Sequence, residues 1–271
     1  MNTNKHESWT TPTVSRRNTA AFTMVEIALC LGVIAIALVA IIGVLPTGVR
    51  VQRDNREDTI INAEGMLWLE AIRSGSRGLD YLTNFVDTIT VSNLYYHTAQ
   101  IYTRPDLKAS AGSQYAGDLT NGHQVVGLLT IPKYLDLGNL ISSNKITARV
   151  RAITGAAAEK GLSASARDFA FAYRLISEVV PLNYVRPPDS TNYMAPGIPA
   201  AELVSRSNLW VIAQNEARNF YELRLTLQGP VIPKGSGYDV LGTPRTFRTL
   251  ISGARDPQSF LLQPSSFVRA P

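Results

Sequence analysis

The chain of 271 residues has a formal net charge of +5, three histidines and one cysteine. Its basic residues are scattered, without a dense run or interleaved aromatic residues, and this argues against nucleic-acid binding. A single cysteine excludes an internal disulfide, so the folded part must be stabilised by its core alone.

The first predicted element is an apolar run, AAFTMVEIALCLGVIAIALVAIIGVLP, which starts at residue 20. Residues 27–46 are 20 residues without a charge. As a helix with a rise of about 1.5 Å per residue, they cover the roughly 30 Å hydrocarbon core of a bilayer. We therefore predict a transmembrane segment at 27–46. The one acid, Glu26, precedes it, and a carboxylate at bilayer depth costs roughly 2–3 kcal/mol unless it has a partner.

The residues around this acid resemble the N-terminus of type IV pilins and of the pseudopilins of type II secretion systems. In that family a short basic leader and a small residue precede Phe-Thr-Leu-x-Glu and a long apolar helix. The corresponding residues here are Arg16 and Arg17 in the leader, then Ala21, then FTMVE at 22–26. Ala21 stands where the family normally has glycine, which is a departure at the cleavage point itself.

The resemblance implies a route of processing and assembly. A prepilin peptidase would cut between Ala21 and Phe22 and methylate the new amine of Phe22. Subunits would then stack their apolar helices into a filament, with Glu26 paired to the Phe22 amine of a neighbouring subunit. The implied partners are the peptidase, other pilin or pseudopilin subunits, and membrane lipid before assembly.

Other interpretations of the segment are an uncleaved signal anchor, a secretory or twin-arginine signal, and a lipoprotein signal ending at Cys30. The run exceeds the roughly 7–15 residues of a signal core, and no small-x-small site clearly ends it. Leu29, rather than a small residue, precedes Cys30. The alternative function that stays open is a single-pass, membrane-anchored envelope protein with a ligand-binding head.

Charge does not decide the orientation of the span. Lys5, Arg16 and Arg17 precede it and three arginines follow it closely, so the positive-inside count is balanced. Only the resemblance places the chain in a bacterial inner membrane with its head outside the cytoplasm.

After Pro46, which is expected to kink or unwind the helix, an amphipathic pattern continues the helix. Ile61, Gly65, Trp68 and Ile72 recur on one helical face, which we expect to pack on a sheet. Arg73-Ser74-Gly75 is typical of a helix end. The predicted organisation is a leader at 1–21, a helix at 22–73 and a globular head at 74–271.

Beyond residue 80 the hydrophobic period changes to the alternation of half-buried strands. The predicted strands are 145–153, 168–178, 219–228 and 245–251, with weaker candidates at 88–96 and 124–131. Segments 104–123, 181–199 and 229–244 are predicted loops. The expected fold is α+β, with a long N-terminal helix packed on an antiparallel sheet, as in pilins. The segments FYELRLTLQGPV and RTFRTLISG also resemble the C-terminal hairpin of that family.

No catalytic motif is visible. The three histidines are dispersed, and no HExxH, CxxC, GxSxG or Walker-type sequence occurs. Asp118, Asn121 and Asp239 lie in glycine-containing loops and could ligate calcium, although turn formation explains them as well. We therefore expect no enzymatic activity, no cofactor and no metal. The function expected from the resemblance is that of a minor pilin or pseudopilin.

Overall fold

The computed structural model describes residues 22–75, 80–110, 112–136, 141–154, 171–182, 197, 199–234, 237–256, 258–259, 261–267 and 269. The chain divides into two compact units, Met1–Arg53 and Asp54–Pro271. A long N-terminal helix and a large, mostly antiparallel sheet confirm the predicted α+β class.

Three α-helices and three 3₁₀ helices lie in the described residues. The α-helices are α1 (Met24–Ser74), α2 (Gly122–Leu129) and α3 (Ala200–Asn219), and the 3₁₀ helices are Asp80–Asn84, Pro105–Ser110 and Gly112–Gln114. The strands in chain order are β1 (Val86–Asn93), β2 (Thr98–Thr103), β3 (Tyr115–Asp118), β4 (Tyr134–Asp136), β5 (Ile141–Arg151), β6 (Ala172–Pro181), β7 (Phe220–Gln228), β8 (Val231–Lys234), β9 (Gly237–Val240), β10 (Arg245–Ser252), β11 (Ala254–Arg255) and β12 (Leu262–Gln263).

Helix α1 ends one residue beyond the predicted position 73. Its last turn carries Arg73, and Gly75 follows with a φ of 72°, the left-handed conformation that glycine adopts without strain. Residues on both sides of Pro46 are helical, so the unwinding that proline was expected to cause does not occur.

The main sheet has the strand order β10-β7-β6-β5-β1-β2-β3, and β4 pairs with the first residues of β5. Adjacent strands are antiparallel except for β2 and β3, which are parallel. Strands β5, β7 and β10 confirm the predictions at 145–153, 219–228 and 245–251, and β1 confirms the weaker one at 88–96. The prediction at 168–178 is met by β6 from residue 172 onwards, and residues 168–170 lie outside the described part.

Three expectations about the head were wrong or incomplete. The segment 124–131 lies mainly in helix α2 and is not a strand, because Asn121 caps a helix there: its Oδ1 accepts from Gln124 N at 2.8 Å. Segment 104–123 contains β3, and 229–244 contains the β8–β9 hairpin. Helix α3 was not predicted. The proline-rich part of 181–199 falls mostly outside the described residues.

The core of the head lies between the second half of α1 and one face of the sheet. Ile61, Trp68 and Ile72 are buried, and Gly65 is buried with them, so the predicted packing face of the helix is confirmed. The sheet contributes alternate, inward-facing side chains: Ile146, Ala148, Val150, Tyr173, Leu175, Leu223, Leu225 and Leu227. At about 25 cal/mol per Å² of buried apolar surface, this layer is the main source of stability.

A buried acid ties α1 to the sheet. Glu64 is fully buried, and its Oε1 accepts hydrogen bonds from the Ile153 N–H at 2.7 Å, the Thr154 N–H at 2.6 Å and the Thr154 hydroxyl at 2.8 Å. Its Oε2 accepts from the Tyr173 hydroxyl at 2.6 Å, and that hydroxyl accepts from Trp68 Nε1 at 2.6 Å. Four donors offset the desolvation of this carboxylate, which fixes the rotation of α1 on the sheet.

Candidate assembly site

The motif FTMVE forms the beginning of α1. The Ile27 N–H donates to the Thr23 carbonyl at 3.1 Å, and the Glu26 N–H donates to Thr23 Oγ1 at 3.3 Å. Thr23 is therefore the N-cap, and Thr-x-x-Glu is the sequence of a capping box. In a complete capping box the glutamate side chain also accepts from the backbone N–H of the cap residue.

The carboxylate of Glu26 does not complete that box. Among the described residues, no donor and no basic side chain reaches it, and the residue is exposed. It lies in the first turn, where the positive end of the helix dipole favours an acid by about 0.3–1 kcal/mol. This carboxylate is thus positioned by the cap but left available for an external cation.

The helix that follows Glu26 is apolar on every side. Within the described residues, one helix is long and apolar enough to cross a membrane, and none of its most apolar window is buried. From Ile27 to Val49 the helix has no charged side chain. Its exposed apolar residues include Ile27, Leu31, Ile34, Leu38, Ile41 and Leu45. A surface of this kind is stable only in lipid or against other apolar surfaces.

The structure describes two of the five residues predicted for processing and assembly. Phe22 directly precedes the N-cap and is 74% exposed, and Glu26 lies one helical turn further on. Arg16, Arg17 and Ala21 lie outside the described residues, together with the rest of the predicted leader.

Loop residues considered for calcium have partners of their own. Asp118 accepts from the Tyr115 hydroxyl at 2.6 Å, Asn121 caps α2, and Asp239 pairs with Lys234 at 3.1 Å. The hydrogen bond that Tyr115 donates to Asp118, together with desolvation and the Asp118 charge, raises the pKa of Tyr115. Within the described part of the chain, no three His, Cys, Asp or Glu side chains lie close enough together to hold a metal ion.

Comparison with protein-family models, with curated proteins and with solved structures found no match. What this site can do therefore follows from its own residues. An exposed apolar helix can enter a membrane or pack against like helices, and a carboxylate at its beginning that has no partner within the described part of the chain can bind a cation.

The important residue that sequence reasoning missed lies elsewhere on α1. Glu64 is adjacent to Gly65 and four residues before Trp68, on the face that was predicted to be apolar. An acid on an otherwise apolar helix face is the signal that could have revealed the role of Glu64. A carboxylate buried there requires several hydrogen-bond donors from other parts of the chain. Those donors, the backbone N–H groups at 153–154 and the hydroxyl of Tyr173, are brought together only by the fold.

Proposed function

We propose that the chain is a prepilin-like subunit, a minor pilin or pseudopilin, that is cleaved between Ala21 and Phe22 and assembles through α1. The observation that carries this proposal is the exposed apolar helix whose only charged side chain before Arg50 is Glu26, which has no cationic partner among the described residues. In this function the apolar helix lies first in the inner membrane of a bacterium, with the head outside the cytoplasm, and then in the filament core.

The geometry at the helix start explains why cleavage and the acid belong together. Cleavage would place a charged amine on Phe22, one residue before the N-cap Thr23, where the positive end of the helix dipole disfavours it. A carboxylate from a second subunit compensates that amine and is itself relieved of its desolvation cost. The Glu26 carboxylate is free to play this role because no described donor occupies it.

One observation favours a second candidate function, a membrane-anchored protein with a ligand-binding head. The head contains a cavity of about 440 Å³ on the outer face of its sheet, within the usual size range of small-molecule sites. Both candidates use residues 27–46 as a membrane segment. They differ in whether the leader is removed and in whether Glu26 is required.

The deciding experiment is co-expression with a prepilin peptidase, followed by intact mass measurement of the chain. We expect loss of residues 1–21 and a gain of one methyl group on Phe22. Ala21→Gly should be processed at least as completely, because glycine is the residue that the family carries there. An intact precursor in both forms would contradict the pilin proposal and favour the anchored protein.

A second experiment tests the acid itself. Glu26→Gln keeps the size and the N-cap geometry but removes the charge, and Glu26→Asp keeps the charge. With processed subunits and their partner subunits present, Glu26→Gln should insert into membranes normally yet form few filaments, while Glu26→Asp retains partial assembly. Normal filament yield from Glu26→Gln would show that the proposed pairing with the Phe22 amine is wrong.

A further inference from the structure

A cavity of about 440 Å³ lies on the face of the main sheet opposite the Tyr173 side chain. Its floor is formed by threonines and arginines of β1, β2, β5 and β6, and its roof by Val231, Tyr238 and Val240 of the β8–β9 hairpin. Side chains of consecutive strand residues point to opposite faces, so this floor is separate from the core beneath α1.

One transverse row of polar residues crosses the cavity floor. Thr103 is paired with Thr88, Thr88 with Arg149, Arg149 with Arg174, and Arg174 with Gln228, each directly opposite its neighbour on the adjacent strand. Two arginines therefore face each other on neighbouring central strands. Like charges in this arrangement destabilise a sheet unless an anion compensates them.

Nearby carboxylates neutralise the charges of the two arginines unequally. The Arg149 Nε lies 3.3 Å from Asp87 Oδ2, but Asp87 also pairs with Arg151 and Arg104, so its single charge is shared. Arg174 donates to the neutral Gln228 Oε1. Among the described residues no carboxylate pairs with Arg174, and its buried Nε has no acceptor. Arg174 is thus a cation that lines a cavity without an anionic partner.

A second polar group in the cavity is also unsatisfied. Thr103 is fully buried, lines the cavity, and its Oγ1 has no hydrogen-bond partner in the described structure. A buried hydroxyl without a partner costs about 1–3 kcal/mol. Thr103 lies at the β2 end of the same row of the floor as Arg174, beneath the accessible surface of the cavity.

The roof contacts Arg149 and adds apolar surface. The Arg149 guanidinium carbon lies 4.0 Å from the centroid of the Tyr238 ring, a stacked cation–π contact that holds the hairpin over the floor. Val231 and Val240 are directly paired in the hairpin, and both line the cavity. The site therefore combines two guanidinium groups, hydroxyl groups and a small apolar wall.

We propose that this cavity binds a small carboxylate ligand, with the carboxylate between Arg149 and Arg174 and its compact body under the hairpin. The planar guanidinium fork matches a carboxylate through two parallel hydrogen bonds. A monoanion fits the charge because Asp87 already neutralises part of Arg149. The apolar roof of Val231, Tyr238 and Val240 contacts the rest of the ligand.

The test uses the full chain in a non-ionic detergent and ligand-observed NMR, which detects millimolar affinities. The probes are sodium glucuronate, lactate and hexanoate, with glucose and hexanol as neutral counterparts and phosphate as a different anion. We expect saturable binding of at least one carboxylate and none of its neutral counterpart. Binding of phosphate alone, or of no probe, would overturn the proposal.

Arg174→Gln should weaken carboxylate binding at least tenfold, the loss expected for a charge-assisted pair. Arg248→Gln is the matched control, because Arg248 is an exposed arginine of β10 that does not line the cavity. An equal loss in both variants would show general charge attraction and refute the site. If Arg174→Gln does not fold, Arg174→Lys keeps the charge but removes the planar fork. A several-fold loss is then expected, and unchanged binding counts against the proposal.

The unliganded protein offers an independent readout. Since Arg174→Gln removes a like-charge pair, it should raise the thermal midpoint of the unliganded chain. It should also abolish the further rise in thermal midpoint that the bound carboxylate gives the wild type. A variant that is still stabilised by the carboxylate as much as the wild type would overturn the assignment of Arg174.

Discussion

The hydroxyl of Tyr173 donates a 2.6 Å hydrogen bond to the carboxylate of Glu64, although 109 positions separate the two residues along the chain. Both are fully buried, and the same hydroxyl accepts from Trp68. This contact joins the second half of α1 to the central strand β6. Because four donors converge on this carboxylate and the Tyr173 hydroxyl also accepts from Trp68, one rotation of the helix on the sheet is favoured over the others.

Replacement of Glu64 by leucine should lower the free energy of unfolding by about 3–5 kcal/mol. It leaves the buried hydroxyl of Tyr173 and the half-buried N–H groups of Ile153 and Thr154 without their acceptor. Glu64→Gln keeps one oxygen for these donors and should cost about 1–2 kcal/mol. Urea unfolding of the chain in detergent, followed by tryptophan fluorescence, measures both.

The matched control is Glu70→Leu on the same helix. Glu70 is exposed and, among the described residues, pairs only with the exposed Arg73, so its replacement should change stability by less than about 0.5 kcal/mol. Equal effects at positions 64 and 70 would mean that the buried network does not anchor the helix.

Tyr173 also predicts how stability depends on alkaline pH. Burial, followed by the nearby Glu64 charge, raises its pKa well above the usual 10.0. The unfolded chain therefore loses the Tyr173 proton near pH 10, while the folded chain keeps it. The contribution of this hydroxyl to the free energy of unfolding is thus complete below pH 10 and declines above it. From this group the loss is about 1.4 kcal/mol per pH unit.

Tyr173→Phe should therefore make the decline of stability between pH 10 and 11 shallower, although the variant is less stable at pH 7. Tyr95→Phe, in the exposed turn between β1 and β2, should leave the slope as in the wild type. The urea midpoint measured at several pH values checks this. Parallel slopes for the wild type and Tyr173→Phe would contradict the raised pKa.

The parts of the fold that the sequence predicts are those with a strong local pattern. The face of Ile61, Trp68 and Ile72 repeats at helical spacing, and the alternation in β5 and β7 places one side of each strand in the core. Local periodicity is sufficient there because burial follows directly from it. The Glu26 carboxylate is likewise recognisable from sequence, since it interrupts an apolar run.

The parts that the sequence did not predict lack such a pattern or depend on distant residues. Helix α2 is short and apolar, so its run VVGLL fits a strand as well as a helix, and only the cap at Asn121 favours the helix. Apolar residues of α3 are spread around all its sides, and Pro199 provides no side-chain cap. The pairing of Arg149 with Arg174 depends on strand register, which no local pattern specifies.

A side chain added at Gly65 should disturb the packing of the face that α1 presents to the sheet. A Cβ at this position would lie 2.5 Å from the ring of Phe247 in β10, so Gly65→Ala forces the ring to move. Because the half-buried ring can shift at its outer end, we expect a loss of about 1–2 kcal/mol in unfolding free energy. Phe247→Leu in the same chain should recover part of that loss.

Gly48→Ala is the control for the helix itself, since a Cβ there would meet nothing within 4 Å. It should leave the unfolding of the head unchanged and can only add to helix propensity. If Gly65→Ala proves as harmless as Gly48→Ala, the contact with Phe247 is not close in solution.

The single cysteine allows a direct test of membrane placement. Cys30 is exposed on the apolar part of α1, four residues after Glu26. If residues 27–46 lie in a bilayer, a charged, membrane-impermeant thiol reagent should not label Cys30 in intact vesicles, whereas a lipid-soluble maleimide should. Addition of detergent should then make Cys30 accessible to both reagents.

Lys145→Cys in a Cys30→Ala background is the matched probe, because Lys145 is exposed on the head. We expect the charged reagent to label it from the outside of intact spheroplasts. Labelling of Cys30 by the charged reagent in vesicles would exclude the membrane segment, and labelling at position 145 only after lysis would reverse the proposed orientation.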